Sequence, residues 1–181
     1  MEQFNVSAFL VINQYAGKNK MLDSILITAV DVMPYLFVMA LIYLWFSSSV
    51  ERKQVSLNAV VSVVLGMLTS NIISRFYYNP RPFVDNLGVQ LIEHAPDSSF
   101  PSDHATFTFS IAITLLFNKA TRVLGMALFV LSFISSMSRV YGGIHYPLDI
   151  LGAICVAIFA STLVSILNKK LHLGVLSKKI A

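Results

Sequence analysis

Residues 138–149 read SRVYGGIHYPLD. An apolar run ends at Ser138, another begins near Leu148, and between them Arg139, His145 and Asp149 fall within eleven residues. Pro147 stands near the first turn of the second run and fixes a helix start beside His145. One ionisable group at such a junction is readily a packing accident. Three at this spacing ask for a chemical explanation.

The rest of the chain sets the context. Of its 181 residues 56% are hydrophobic and 12% charged, and the mean hydropathy is +0.71. Soluble domains carry about a quarter charged residues, so lipid rather than water must cover much of this surface. No polar linker, repeat or low-complexity segment divides residues 1–181, which read as a single membrane domain. The one cysteine, Cys155, excludes an internal disulfide and any multi-Cys metal site; inside an apolar run it reads as a small core residue. A net charge of +4 does not point to nucleic acid, because the basic residues form no stripe with interleaved aromatics. They cluster in the gaps between apolar runs.

Five candidate spans lie at roughly 22–47, 56–77, 103–118, 122–138 and 148–168, near the ~20 residues a helix needs to cross hydrocarbon. The third and fourth are short. Residues 1–20 are too short and too polar to span, lack the marks of a signal peptide, and read as an interfacial helix with Phe4, Phe9 and Leu10 toward lipid. Five spans place Arg52, Lys53, Lys119, Arg122, Lys169, Lys170, Lys178 and Lys179 on one side. The other side holds Lys18, Lys20, Arg75, Arg81 and Arg139 and nearly all the acids. The positive-inside rule makes the first side, with the C-terminus, cytoplasmic and turns residues 75–103 and 138–149 outward.

Three segments converge on that outer side: SRFYYNPRPF (74–83), FPSDHATF (100–107) and SRVYGGIHYPLD (138–149). Singly, each ionisable group has a plain explanation. Arg81 can snorkel, His104 can be an interfacial histidine, and Asp149 suits the first turn of a helix. Together, two histidines and several arginines at one membrane face point to chemistry. Arginine forks match phosphoryl oxygens, and Ser102, in an N-cap position, opens a helix whose first amides favour anions. Asp149, four residues past His145, can hold one ring nitrogen and leave the other free as a nucleophile. His104 can protonate a leaving oxygen. There is no Asp-rich cluster, His-x3-His pair or nucleotide motif, so no metal or cofactor is expected, and the arginines take the charge-stabilising role.

The three segments resemble the signature of the type-2 phosphatidic acid phosphatase family, which shares its site with the vanadium haloperoxidases. That signature is Lys-x6-Arg-Pro, Pro-Ser-Gly-His and Ser-Arg-x5-His-x3-Asp. Here Arg81-Pro82, Pro101 to His104 and Ser138 to Asp149 match in order, within a motif-bearing core at roughly 56–168. The resemblance implies an all-α fold, a polytopic membrane helix bundle of five to six helices. It implies His145 as nucleophile, His104 as acid, and phosphate contacts at Arg81, Ser102, Asp103 and Arg139. Two positions depart from the pattern. Asp103 replaces glycine, and Ser74 replaces the lysine. Arg75, one residue on, is turned by about 100° and is carried only as a candidate phosphate ligand. The longer string HAPDSSFPSDHAT (94–106) is similar to bacterial undecaprenyl-diphosphatases of the BcrC type. That similarity implies a polyprenyl diphosphate substrate, recycling of the peptidoglycan carrier lipid in a bacterial cell membrane, and bacitracin resistance.

The site residues leave the lipid open: phosphatidylglycerophosphate, phosphatidate and other prenyl diphosphates suit them equally, as does phosphotransfer to a second lipid. A small transporter subunit is the reading from another class, although a permeation path has no need of His-x3-Asp and a second histidine. No obligatory protein partner beyond the bilayer is expected. Asp31, three residues before Pro34, reads as structural. Glu93, His94 and Asp97 form a loop able to roof the site, with His94 solvated. Tyr77, Tyr78, Tyr141 and Tyr146 read as an aromatic belt.

Overall fold

A computed structural model describes residues 2–180, with side chains over residues 3–170. Every regular element among the described residues is a helix: α1 (Glu2–Asn13), α2 (Lys20–Trp45), α3 (Val50–Phe76), α4 (Asp103–Leu116), α5 (Arg122–Tyr141) and α6 (Pro147–Ile180). Among the described residues, four segments are long and apolar enough to cross a membrane, namely α2, α3, α5 and Pro147–Lys170 of α6. The shortest, at 20 residues, reaches about 30 Å. Large apolar side chains such as Val32, Met39, Val64 and Phe159 point outward from them, as a lipid-covered surface requires. The protein is a multi-pass membrane helix bundle.

The expected span at 103–118 is a different kind of helix. With 14 residues α4 is about 21 Å long, short of the hydrocarbon thickness. It is the central helix, packed against α3, α5 and α6, and Thr108 through Leu115 are all buried. A helix that touches mainly protein need not match the bilayer. Phe109 and Ile113 enter one core with Ile150 and Ala153, while Ile111, Ala112 and Leu115 enter a second with Phe37, Leu44 and Ala59. Close approach of α3 to α4 depends on Gly66, where a Cβ would come within 2.9 Å of Ser110 Oγ.

Hydrogen bonds fix the up-and-down order. At one end Asn118 Nδ2 donates to Glu51 Oε1 at 3.0 Å, and Gln54 Nε2 to Asn168 Oδ1 at 3.5 Å. Arg52, Lys53, Lys119, Arg122, Lys169 and Lys170 lie toward this end of the helices; the side chains of Lys178 and Lys179 lie outside the described residues. At the other end Ser70 Oγ donates to Asp103 at 2.6 Å and Tyr141 Oη to Asp23 at 2.6 Å.

The N-terminal helix corrects one expectation. Phe4 and Leu10 are exposed, but Phe9 is fully buried, edge-to-face on Tyr146 with ring centroids 5.4 Å apart. The reason is that α1 is latched to the bundle. Buried Asn13 donates to Val89 O and Tyr141 O, both at 2.8 Å, and accepts from Val89 N at 2.7 Å; Asn5 Oδ1 accepts from Leu148 N. Two of the four tyrosines also leave the expected belt. Tyr77 and Tyr78 are exposed, whereas Tyr141 and Tyr146 are buried by these same contacts. Cys155 is corrected too. It lies exposed on the outer side of α6 rather than in the core, since the inward positions are Ala153, Val156, Ala157 and Ala160.

Candidate active site

The 142–146 turn is built to carry one imidazole. Gly143 sits at φ +82° and faces Val89 O, where a Cβ would collide, so only glycine lets the 87–92 loop close over the turn. Leu91 N donates to Gly142 O at 3.0 Å, completing that closure. Pro147 then starts α6 as expected, and Asp149 lands in its first turn.

His145 is 2% exposed and Asp149 wholly buried. His145 Nδ1 lies 3.3 Å from Asp149 Oδ2. Its Nε2 lies 3.2 Å from Arg81 Nη1 and 3.2 Å from Ser102 Oγ. A guanidinium has no lone pair to offer, so Nε2 is the acceptor and the ring proton sits on Nδ1, facing the carboxylate. Asp149 is held in turn by Tyr146 N at 2.8 Å and Asn79 Nδ2 at 3.4 Å. Burial, then the charges of Arg139, Arg81 and His94, hold His145 well below the usual imidazole range. The ring is therefore neutral at pH 7, with a lone pair aimed between an arginine and a hydroxyl.

Ser102 caps α4, its Oγ accepting from Ala105 N at 3.5 Å, and Ser102 N donates to Asp149 O at 3.3 Å. Arg81, 5% exposed, spends most of its donors on the protein. Nη1 also reaches Ile144 O at 2.8 Å, Nε reaches Asp97 Oδ1 at 2.8 Å, and Nη2 reaches Ser98 O at 3.3 Å. A second group lies beside the first. Arg139 Nη1 is 3.4 Å from His104 Nδ1, and His104 Nε2 is 2.8 Å from Ser135 Oγ. Arg139 Nε is buried and finds no acceptor among the described residues. An unpaired buried donor costs about 1–3 kcal/mol, and beside a neutral imidazole it suits an anion.

Seven of the eight candidate residues thus gather around one place: His145, Asp149, Arg81 and Ser102 in direct contact, His104 and Arg139 beside them, and Asp103 at the start of the same helix. The Asp103 carboxylate is engaged by Ser70. Arg75 is exposed in the last turn of α3, and nothing among the described residues bonds to it. Ser70 and Ser74, four residues apart, share the face that looks toward Asp103, and Arg75 is turned away from it. The roof loop is engaged more closely than expected. Asp97 pairs with Arg81, and His94, only 26% exposed, sets its ring 6.5 Å from that of His145, so it is not simply solvated. Sequence reasoning missed Asn79, Ser135 and Ser70, whose partners are 31 to 70 residues away and leave no local signal.

The chain is similar to several known proteins. BcrC of Bacillus subtilis (strain 168), an undecaprenyl-diphosphatase, is 33% identical over 154 residues, spanning 85% of this chain and 79% of that protein. A bacitracin transport permease protein BcrC of Bacillus licheniformis is 33% identical over 150 residues, 82% of this chain and 72% of its own length. Among solved structures, Aquifex aeolicus LpxE superposes with a TM-score of 0.75 at 23% identity, covering 89% of this chain and 94% of that one. The family described as the PAP2 superfamily matches residues 55–172, which takes in all three motifs and both histidines, and the chain belongs to it.

Proposed function

We propose that this membrane phosphatase hydrolyses undecaprenyl diphosphate to undecaprenyl phosphate and inorganic phosphate through a phosphohistidine on His145. The observation that carries the chemistry is the lone pair of His145 Nε2, set between Arg81 and Ser102 with Asp149 behind the ring. Nε2 attacks the terminal phosphorus, and the bond to the bridging oxygen breaks. Undecaprenyl phosphate leaves as His104 gives that oxygen a proton. Water then attacks the phosphorus, His104 takes a proton from that water, and the P–N bond breaks to release phosphate. Arg81, Arg139, Ser102 and the amide of Asp103 hold the phosphoryl oxygens as charge builds in the transition state. The substrate rests on the likeness to the Bacillus subtilis diphosphatase. A permease reading, suggested by the name of the second relative, gives the His145–Asp149 pair nothing to do.

Purified protein assayed for phosphate release against a panel of lipid phosphates tests the substrate. Undecaprenyl diphosphate is expected to give the highest kcat/KM, and a clear preference for phosphatidate or phosphatidylglycerophosphate overturns the assignment. The same assay checks the source of charge stabilisation. Because arginines and a helix terminus form the proposed anion site, saturating EDTA should leave activity largely intact, and vanadate should inhibit by adopting trigonal-bipyramidal geometry at His145. Loss of activity in EDTA, restored by Mg²⁺, contradicts it.

Orientation follows from charge. The end of the bundle carrying Arg52, Lys53, Lys119 and Arg122 is cytoplasmic in this reading, and the histidines lie near the outer leaflet. The enzyme would then meet its substrate where bacitracin also binds it, so the two compete by mass action. In a Cys155→Ser background, cysteine in place of Glu93 should react with an impermeant maleimide in intact cells, and cysteine in place of Ser48 only after lysis. Both positions are exposed. The reverse pattern puts the site in the cytoplasm.

A further inference from the structure

The two histidines are backed by different groups. Behind His145 stands a carboxylate, Asp149, which makes the ring a better nucleophile. Behind His104 stands a neutral hydroxyl, Ser135 Oγ, at 2.8 Å. We propose that Ser135 is a positioning residue for the acid–base step: it holds the resident proton of His104 on Nε2, so that the working proton comes and goes on Nδ1. This rests on the phosphatase mechanism above.

Donor and acceptor logic assigns the tautomer. Arg139 Nη1, 3.4 Å from His104 Nδ1, can only donate. Nδ1 is then the acceptor, and the single proton of the neutral ring lies on Nε2, where Ser135 Oγ takes it. Ser135 is free for that role. Ser132 Oγ and Ser138 Oγ donate to carbonyls four residues back, at 2.9 and 3.0 Å, as helical serines commonly do. Ser135 makes no such bond, and the hydroxyl has His104 as its partner. Being four residues before Arg139, it shares a face of α5 with it, so one helix presents both ring partners. Ser135 itself is fully buried, which keeps water from replacing it.

The consequence is a division of labour. An imidazolium backed by a carboxylate is a poor acid, because the carboxylate stabilises the proton to be given away. A hydroxyl accepts the Nε2 proton in the neutral and charged forms alike without adding a negative charge. When the phosphoanion arrives it takes over the Arg139 Nη1 donor, and His104 Nδ1 gains a proton from solvent water, passes it to the leaving oxygen, and recovers one from the water that attacks the phosphorus.

The test uses an isosteric pair. Ser135→Thr keeps the hydroxyl and Ser135→Val removes it at nearly the same volume. Against undecaprenyl diphosphate, Ser135→Val is expected to lose roughly tenfold to a hundredfold in kcat with KM within about twofold, and Ser135→Thr to retain most of the rate. Independently of turnover, ¹⁵N-histidine spectra of the full-length protein in nanodiscs, assigned by the resonance lost in His104→Gln, should show a protonated Nε2 and a bare Nδ1. Equal rates for the Thr and Val variants overturn the role of Ser135, as does a protonated Nδ1 with bare Nε2. A wild-type protein inactive on the lipid, yet showing the expected tautomer, sinks the substrate assignment and leaves the Ser135–His104 pairing standing.

Discussion

His145→Ala abolishes turnover, by at least about 10⁴-fold, while leaving a folded, membrane-inserted protein. The size follows from what the ring supplies, which is the bond-forming atom itself. Its lone pair is already aimed between Arg81 and Ser102, and the ring is neutral at pH 7, so no proton has to be removed before attack. Because its pKa is lowered from 6.5, the acid limb of kcat/KM belonging to this group lies below the ordinary histidine range; activity falls only when the pH is taken down through that lowered value. Acid-quenched reaction with terminally labelled substrate should trap label on the wild type in an acid-labile, base-stable form and none on the variant. Asp149→Asn should cost roughly 10²- to 10⁴-fold by losing the carboxylate that sets the Nδ1–H tautomer. An Ala variant that keeps substantial activity overturns the covalent route.

The sequence made the active end of this bundle readable for a physical reason. Ionisable groups are so costly near lipid that Arg81, His104, Arg139, His145 and Asp149 stand out against the apolar runs, and their spacing at helix ends brings them together in any up-and-down packing. What resisted reading was anything set by which face of a helix meets protein. Phe9 looks lipid-directed on a 12-residue helix until Asn13 is seen to latch that helix to Val89 and Tyr141. Residues 103–118 look like a span because central burial and lipid burial demand the same apolar composition. Cys155 looks like core for the same reason. Ser135 and Asn79 are ordinary polar residues whose meaning comes from His104 and Asp149, far away in sequence. The departure at Ser74 marked the limit of motif reasoning, and the placement of Ser70 on the Asp103 side of α3 shows why the neighbouring Arg75 does not fill the gap.

Arg81→Ala should cost about 10³-fold in kcat/KM, the scale of removing a principal charge-stabilising donor in acyl or phosphoryl transfer. Two losses combine there. The guanidinium positions His145, since Nη1 bonds both Nε2 and the carbonyl of Ile144, the residue just before it. It also supplies positive charge where the equatorial oxygens gather. Arg81→Lys keeps the charge but not the fork, so a loss of roughly 10²-fold is expected, nearer to alanine than to wild type. Exogenous guanidinium separates the two contributions. If the cavity left by Arg81→Ala admits it, partial rescue restores charge and donors, whereas ammonium should fail. Asp97 complicates the site in a useful way, because its exposed carboxylate already holds Arg81 Nε at 2.8 Å and must share that arginine with the arriving phosphate. Removing Arg81 leaves Asp97 as an uncompensated negative charge at the mouth, so KM for the anionic substrate should rise as kcat falls. An Arg81→Ala enzyme with wild-type KM and kcat would mean that the phosphoryl group binds elsewhere, and the whole arrangement around His145 Nε2 would have to be abandoned as the reacting centre.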